Sequence, residues 1–152
     1  MFDFVRIRTR IRALAIVAAT AALSACASVP GPAPAGVPVV YHLNEGLPQA
    51  QRAIGNIRNH LRAEPSTKIV VVTHGKGIDF LLDGAKNDQG QPFSGAIGEL
   101  AGRGVEFRVC NNTLVGRKIP KEQVAMEAKI VASGVAEVAR LQAKERFAYL
   151  RP

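Results

Sequence analysis

A cysteine stands at the end of a predicted strand in the stretch Val105–Leu114. Val105, Phe107 and Val109 alternate with charged residues, which is the period of a β-strand. The alternation stops at Cys110, and the asparagines and threonine that follow are turn-forming and helix-capping residues. Because the N–H groups at the start of a helix favour a thiolate, Cys110 is a candidate nucleophile. The alternative is a small buried thiol that serves only packing.

Further polar residues follow other predicted strands where those strands end. In an open parallel sheet the carboxyl ends of the strands meet at one edge, where ligands bind. A thiolate needs nearby positive charge or N–H groups, which makes His74 and Lys76 candidates and Asn112 a possible hydrogen-bond partner. Each has a structural alternative, since His74 can cap a helix and Lys76 can be solvated. The residues expected at this edge are His42, Asn44, His74, Lys76, Cys110, Asn111, Asn112 and Ser133.

Two histidines and one cysteine at one edge could also bind a metal ion, because imidazole and thiolate are common ligands. Their spacing matches no standard zinc pattern. The glycines of His74-Gly75-Lys76-Gly77 lack the spacing of a phosphate-binding or dinucleotide-binding loop. We therefore predict no metal site and no bound cofactor.

The charge of the chain is basic but dispersed. The formal net charge is +8 over 152 residues, and four arginines against one aspartate lie in residues 1–25. The remaining 16 basic and 11 acidic residues are spread along the chain. Nucleic-acid binding would require a concentrated basic stripe with stacking aromatic residues, so we predict no nucleic-acid partner.

Residues 1–25 have the layout of a secretory signal peptide: a basic stretch to Arg12 and an apolar run from Ala13 to Leu23. The run is too short to span a bilayer as a stable helix. It ends in Leu23-Ser24-Ala25-Cys26, which resembles the lipobox of bacterial lipoproteins and implies lipid on Cys26. The alternative is an ordinary signal peptide that releases a soluble exported protein. Residues 26–38 are rich in proline and glycine and predict an extended tether.

Strand and helix patterns alternate from residue 39 to residue 150. The run Ile69–Val72 is apolar on both faces, as expected of a strand in a parallel sheet covered on both sides. Apolar residues at three- and four-residue steps predict helices after Leu47, Ile78, Phe93 and Gly134. We predict an α/β fold, in which a mainly parallel sheet of about five strands lies between helices in a single domain, residues 39–152.

Several segments of the chain together match a known family. They are Tyr41-His42-Leu43-Asn44, Ile69-Val70-Val71-Val72-Thr73-His74-Gly75, Gly77-Ile78-Asp79-Phe80-Leu81-Leu82, residues 104–114, Ser133-Gly134-Val135-Ala136-Glu137 and Leu141-Gln142. Through these segments the chain resembles the DsrE/DsrF-like family across nearly all of residues 39–152. The resemblance implies a Rossmann-like three-layer α/β/α domain and assembly into trimers or hexamers. It also implies a link to sulfur relays, in which a cysteine carries a persulfide between proteins, and Cys110 matches that cysteine by position.

Together these observations favour a periplasmic, lipid-anchored thiol protein that acts as a sulfur carrier or thiol-redox protein through Cys110. The alternative is a non-catalytic binding or oligomeric assembly module with the same fold. The relay members of the family are cytoplasmic, so the export signal leaves the sulfur donor and acceptor unassigned. Whether the protein turns over a substrate as an enzyme is also left open.

The polar residues of the Val105 strand raise a separate question about its second face. Glu106 and Arg108 lie opposite Val105, Phe107 and Val109. That face is either wet, paired in an ion network or set against another subunit. The family resemblance favours the subunit, with Arg108 near a symmetric interface.

Overall fold

The structure, a computed structural model, describes residues 36–152. The predicted signal peptide (residues 1–25), Cys26 and the tether as far as residue 35 lie outside the described residues. Strands and helices alternate along the described chain. The elements are β1 (Val39–Leu43), α1 (Leu47–Ala63), β2 (Ile69–Thr73), a 3₁₀ helix (Gly75–Leu81), α2 (Phe93–Gly102), β3 (Glu106–Cys110), α3 (Asn111–Arg117), a second 3₁₀ turn (Lys121–Gln123), β4 (Ala128–Val131), α4 (Gly134–Glu145) and β5 (Ala148–Leu150).

The five strands form one sheet in the order β4-β3-β2-β1-β5, and every neighbouring pair is parallel. All five residues of β2 are buried, because this strand lies at the centre of the sheet and is covered on both faces. The predicted α/β fold with a parallel five-stranded sheet is therefore confirmed. All carboxyl ends of the strands lie at one edge, as the candidate site requires.

The two faces of the sheet have different cores. On the first face, α1, α2, α3 and the first 3₁₀ helix bury a large cluster of aliphatic and aromatic side chains that includes Val71, Phe80 and Phe107. On the second face, Val138 and Leu141 of α4 pack on a much smaller cluster built from β1 and β2. The sheet thus separates a closed apolar face from a thinly covered one.

One predicted helix differs from the structure. Apolar residues from Ile78 to Ala85 indicated an α-helical face, but the chain instead forms a 3₁₀ helix that ends at Leu81. The helix ends there because its backbone groups bond to the segment before β4: the carbonyl oxygen of Leu81 accepts from the N–H of Ala125 at 2.8 Å, and the N–H of Asp83 donates to the carbonyl oxygen of Gln123 at 2.8 Å. The tighter 3₁₀ turn stacks residues three apart, so Ile78 and Leu81 are both buried in the first-face core.

The charged residues of β3 lie on the second face and pair within the domain. Arg108 donates to Glu106 at 2.7 Å and also to Glu137 of α4. The side chains of Arg108 and Glu137 are each only 12% exposed. Of the three alternatives for this face, the described residues contain the ion network, which Arg140 extends by donating to Glu137 at 2.8 Å.

Candidate functional site

The Cys110 thiol lies where β3 meets α3, as the sequence predicts. β3 ends at Cys110 and α3 begins at Asn111. Cys110 follows Arg108 by two residues on the strand, so both side chains lie on the second face, beneath the start of α4. Cys110 is a free cysteine and is 5% exposed.

Burial and hydrogen bonding act on the Cys110 thiol in opposite directions. Burial alone raises the pKa of the thiol, because it disfavours the charged form. The backbone N–H groups of Gly134, Thr113 and Asn112 and the hydroxyl group of Thr113 favour the charged form of the sulfur, and together they outweigh burial. The pKa of Cys110 therefore lies below its ordinary value, so this side chain forms a thiolate more readily than a free cysteine.

Gly134 brings the start of α4 against the thiol. A Cβ at this position would lie 3.1 Å from the Cβ of His74 and 3.2 Å from the Cβ of Cys110. Ser133 caps the helix by accepting a hydrogen bond from the N–H of Ala136 at 3.4 Å. The glycine thus allows an approach that a side chain would obstruct, and the cap holds the first turn of α4 over Cys110.

Thr113 links the thiol to the loop that follows β2. Its hydroxyl oxygen accepts a hydrogen bond from the N–H of Gly75 at 3.0 Å. Gly75 has φ of 56°, a left-handed conformation that suits glycine. Arg117, near the end of α3, donates to the carbonyl oxygen of Gly75 at 2.9 Å. These hydrogen bonds therefore hold the loop beside His74 against α3, the helix that begins after Cys110.

Two histidines and a tyrosine form a chain of hydrogen bonds beside the cysteine. The Nε2 atoms of His42 and His74 lie 2.7 Å apart, and Nδ1 of His42 lies 2.8 Å from the hydroxyl oxygen of Tyr149. Burial lowers the pKa of His42, and the charges of His74 and Arg151 lower it further. Burial and then Arg151 lower the pKa of His74. Both rings are therefore neutral at neutral pH.

The three residues predicted to support Cys110, namely His74, Lys76 and Asn112, differ in their positions relative to the thiol. His74 lies close to Cys110, at the point that both share with Gly134. The side chain of Lys76 is exposed and lies beside Gly46, and it is not among the groups that lower the pKa of Cys110. The side chain of Asn112 is exposed in the first turn of α3, whereas its backbone N–H donates to the carbonyl oxygen of Ala132 at 3.3 Å and also favours the thiolate.

Sequence reasoning missed three residues of the site. Thr113 belongs to the predicted capping segment after Cys110, so its hydroxyl group could have been predicted to lie near the thiol. Gly134 was assigned only to the start of a helix, although a glycine directly after a cap residue at the active edge could have indicated close approach. Tyr149 could not have been found, because its position depends on β5 pairing with β1.

Other parts of the described chain offer weaker sites. A groove of about 480 Å³ lies between α1 and the start of α2, but its lining contains no thiol or imidazole. Among residues 36–152, no three His, Cys, Asp or Glu side chains are placed to hold a metal ion. Over the same range, no helix has the length and apolar character needed to cross a bilayer.

Comparison with known proteins identifies a family whose model the chain matches. Residues 9–152 match the model of the DsrE/DsrF-like family. The structure of MTH1491 from Methanobacterium thermoautotrophicum, a protein of unknown function, is 32% identical with a TM-score of 0.68, and the match covers 76% of this chain and 99% of that one. The YchN protein from E. coli has the same fold at 14% identity, with a TM-score of 0.61 and coverage of 76% and 99%. No curated protein matches the chain significantly.

Proposed function

Since the chain belongs to the DsrE/DsrF-like family, which is associated with sulfur relay, we propose that it is a thiol protein that acts through Cys110. Cys110 either carries sulfur as a persulfide or exchanges thiol for disulfide. The observation that supports this most directly is the start of α4 against the buried thiol, where Gly134 allows a close approach and N–H groups lower the pKa of Cys110 against the effect of burial. A packing cysteine needs no such donors.

The proposed sulfur transfer balances without an external oxidant or reductant. The Cys110 thiolate attacks the outer sulfur of a donor persulfide, R–S–SH. A new S–S bond forms on Cys110 as the S–S bond of the donor breaks, and the donor departs as the thiolate R–S⁻. An acceptor thiolate then attacks the outer sulfur of the Cys110 persulfide, and Cys110 becomes a thiolate again.

Alkylation kinetics test this proposal. A Cys26→Ser protein, in which Cys110 is the remaining cysteine, is treated with iodoacetamide at mildly acidic pH, either native or in denaturant. We expect the native protein to react faster than the unfolded one, because the folded site favours the thiolate. The further substitution Cys110→Ser is the control and should abolish labelling. A native thiol that stays inert until the protein unfolds would contradict the proposal.

The second candidate is a non-catalytic binding or assembly module. The 5% exposure of Cys110 favours it, because a carrier thiol must meet its donor. The same experiment separates the two functions, since an inert native thiol is the result this candidate predicts. Neither result depends on knowing the physiological donor.

We further propose that the mature protein is a lipoprotein of the bacterial periplasm, anchored through Cys26. The basic stretch, the apolar run and the lipobox-like Leu23-Ser24-Ala25-Cys26 support this assignment. Metabolic labelling with a fatty acid tests it: the Cys26→Ala variant should lose the label, whereas Cys110→Ala should keep it. Normal labelling of Cys26→Ala would contradict the anchor, and an unlabelled native protein found free in the periplasm would favour soluble export.

The family resemblance also supports a homo-oligomer, which we propose to be a trimer or hexamer. Closed symmetry would bring several copies of the Cys110 edge into one assembly. Light scattering of the delipidated protein tests the proposal directly. A monomer at all accessible concentrations would contradict it.

A further inference from the structure

Four side chains form a row across neighbouring strands at the carboxyl edge of the sheet. The strand order places β3, β2, β1 and β5 side by side. Cys110 ends β3, His74 follows β2, His42 lies in β1 and Tyr149 lies in β5. His42 is paired with Val72 and Tyr149 with Val40, both of which belong to the second-face core. The row therefore runs along the second face, from the buried thiol to an outer strand.

The hydrogen bonds within this row permit two neutral arrangements. With the two Nε2 atoms 2.7 Å apart, one carries the proton and the other accepts it. In the first arrangement His74 donates through Nε2–H, and His42 donates through Nδ1–H to Tyr149. In the second, Tyr149 donates to Nδ1 of His42, and His42 donates through Nε2–H to His74. Nδ1 of His74 is a base in the first arrangement and an acid in the second.

A single proton entering at His74 converts the first arrangement into the second. Nδ1 of His74 gains a proton as its Nε2 proton moves to His42. The Nδ1 proton of His42 moves to Tyr149, whose own hydroxyl proton leaves to water. Each ring is neutral before and after, so no charge is left buried. Tyr149 is 40% exposed, which gives the chain an outlet to solvent.

We propose that His74 is the acid–base group of Cys110 and that His42 and Tyr149 relay protons between His74 and solvent. The inference rests on the thiol chemistry proposed for Cys110. It explains how a thiol that is 5% exposed exchanges its proton with water. It also assigns a role to the side chain of His74, which does not hydrogen-bond the sulfur in the resting structure.

The transfer step then balances in protons as well as sulfur. Nδ1 of His74 accepts the proton of the Cys110 thiol, which puts the row in its second arrangement and releases one proton to water. The thiolate attacks the donor disulfide or persulfide, and the leaving thiolate R–S⁻ takes a proton from Nδ1–H of His74. One proton returns from water through Tyr149 and His42, and the row regains its first arrangement.

The packing and charges around the row suit this role. A Cβ at Gly134 would meet the Cβ atoms of both Cys110 and His74, so the glycine leaves no side chain of α4 between them. The charged group that acts on both histidines is Arg151, and Glu45 pairs with Arg151. Burial and Arg151 keep the two imidazoles neutral at neutral pH, as a relay through their Nε2 atoms requires.

The dependence of the rate on the leaving group tests the inference. In the Cys26→Ser protein, Cys110 is treated with bis(2-hydroxyethyl) disulfide, whose leaving thiolate needs a proton, or with dithionitrobenzoate, whose thiolate leaves without one. His74→Gln should slow the first reaction on the order of 100-fold at neutral pH. It should change the second by no more than about threefold. Tyr149→Phe, which removes the outlet but keeps the ring, should show the same selectivity with a smaller effect.

His60→Gln is the matched control, because His60 lies on α1 and bonds to Tyr41, outside the row. It should leave both rates unchanged. If the native thiol reacts with both disulfides and His74→Gln slows neither, or slows both equally, the relay is wrong while the thiol function stands. If the native thiol reacts with neither disulfide, the proposed function fails and the relay fails with it.

Nuclear magnetic resonance of the histidine nitrogens tests the tautomers that the relay requires. At neutral pH, His42 and His74 should be neutral and should carry their protons on opposite ring nitrogens. Either arrangement, Nε2–H on His74 with Nδ1–H on His42 or the reverse, agrees with the relay. The same tautomer on both rings, or two imidazolium ions, would overturn it.

Discussion

The two faces of the sheet differ in composition, because one contains most of the apolar core and the other contains the candidate site. The first face is covered by several helices and contains the large apolar core, including Phe80 and Phe107, whose ring centroids lie 6.2 Å apart. The second face is covered by α4 and combines a small apolar cluster with an ion network and the row of Cys110, His74, His42 and Tyr149. The reactive groups therefore lie on the face that has the smaller apolar core.

Strand alternation makes this division possible within a single strand. In β3, Phe107 and Val109 enter the first-face core, whereas Arg108 and Cys110 lie on the second face. A substitution at a first-face residue should therefore mainly lower stability. A substitution at the second-face residue next to it in sequence should affect the ion network or the thiol.

Phe107→Ala should cost about 3–5 kcal/mol of unfolding free energy, because it opens a cavity in a core that is closed on all sides. Chemical denaturation measures this cost. The matched control is Ile130→Ala on the edge strand β4, where the side chain is 37% exposed and the loss should be much smaller. Equal losses at the two positions would contradict the dependence of stability on burial in the first-face core.

Arg108→Ala should cost less, at most about 3 kcal/mol, because it leaves Glu106 and Glu137 without their shared partner in a partly buried site. The same variant should shift the proposed oligomer toward monomer if Arg108 also lies near a subunit interface. Light scattering of Arg108→Ala and Glu137→Gln compares the two effects. An oligomer unchanged in both variants would restrict Arg108 to a role within the domain.

The ion network should also make stability depend on acid. Hydrogen bonds from Arg140 lower the pKa of Glu137 below its ordinary value of 4.5, and hydrogen bonds from Arg108 do the same for Glu106. Their contribution is therefore complete above about pH 4.5 and is lost as the pH falls through the lowered folded values. Denaturation in acid should show less pH dependence for Glu137→Gln than for the native protein. Identical pH profiles would contradict a stabilising network.

Gly134→Ala should have a small effect on stability and a specific effect on the thiol. The added methyl group would meet His74 and Cys110 at 3.1 and 3.2 Å, so α4 must move away and carry the Gly134 N–H, which favours the thiolate, away from the sulfur. The pKa of Cys110 should rise, which moves the pH profile of alkylation to higher pH. Gly116→Ala on α3, where the new Cβ meets nothing within 4 Å, should leave the profile in place. A shift in both variants, or in neither, would contradict the role of Gly134.

The sequence predicted those features that depend on local pattern. The apolar run of β2, the helical period of α1 and the strand end at Cys110 all follow from the spacing of apolar and capping residues. Features that depend on packing between distant segments were missed. Backbone hydrogen bonds to residues 123–125 end the 3₁₀ helix at Leu81 where a longer α-helix was predicted, and the pairing of β5 with β1 brought Tyr149 to His42.

The supporting residues of the site show the same limit. His74 was predicted near Cys110 because both follow parallel strands, and the sheet edge brings them together. Lys76 was predicted by the same reasoning, but the direction of its side chain depends on the turn after β2, which no periodic pattern specifies. The sequence thus located the edge, whereas the structure was needed to identify which side chains there face the thiol.

If Cys110 accepts sulfur, the intact mass of the protein records it. The Cys26→Ser protein is incubated with inorganic polysulfide, freed of the reagent and measured by mass spectrometry without reductant. We expect a species heavier by one sulfur atom that reductant converts back, and no such species after the further substitution Cys110→Ser. An unchanged mass, or the same added sulfur without Cys110, would contradict it.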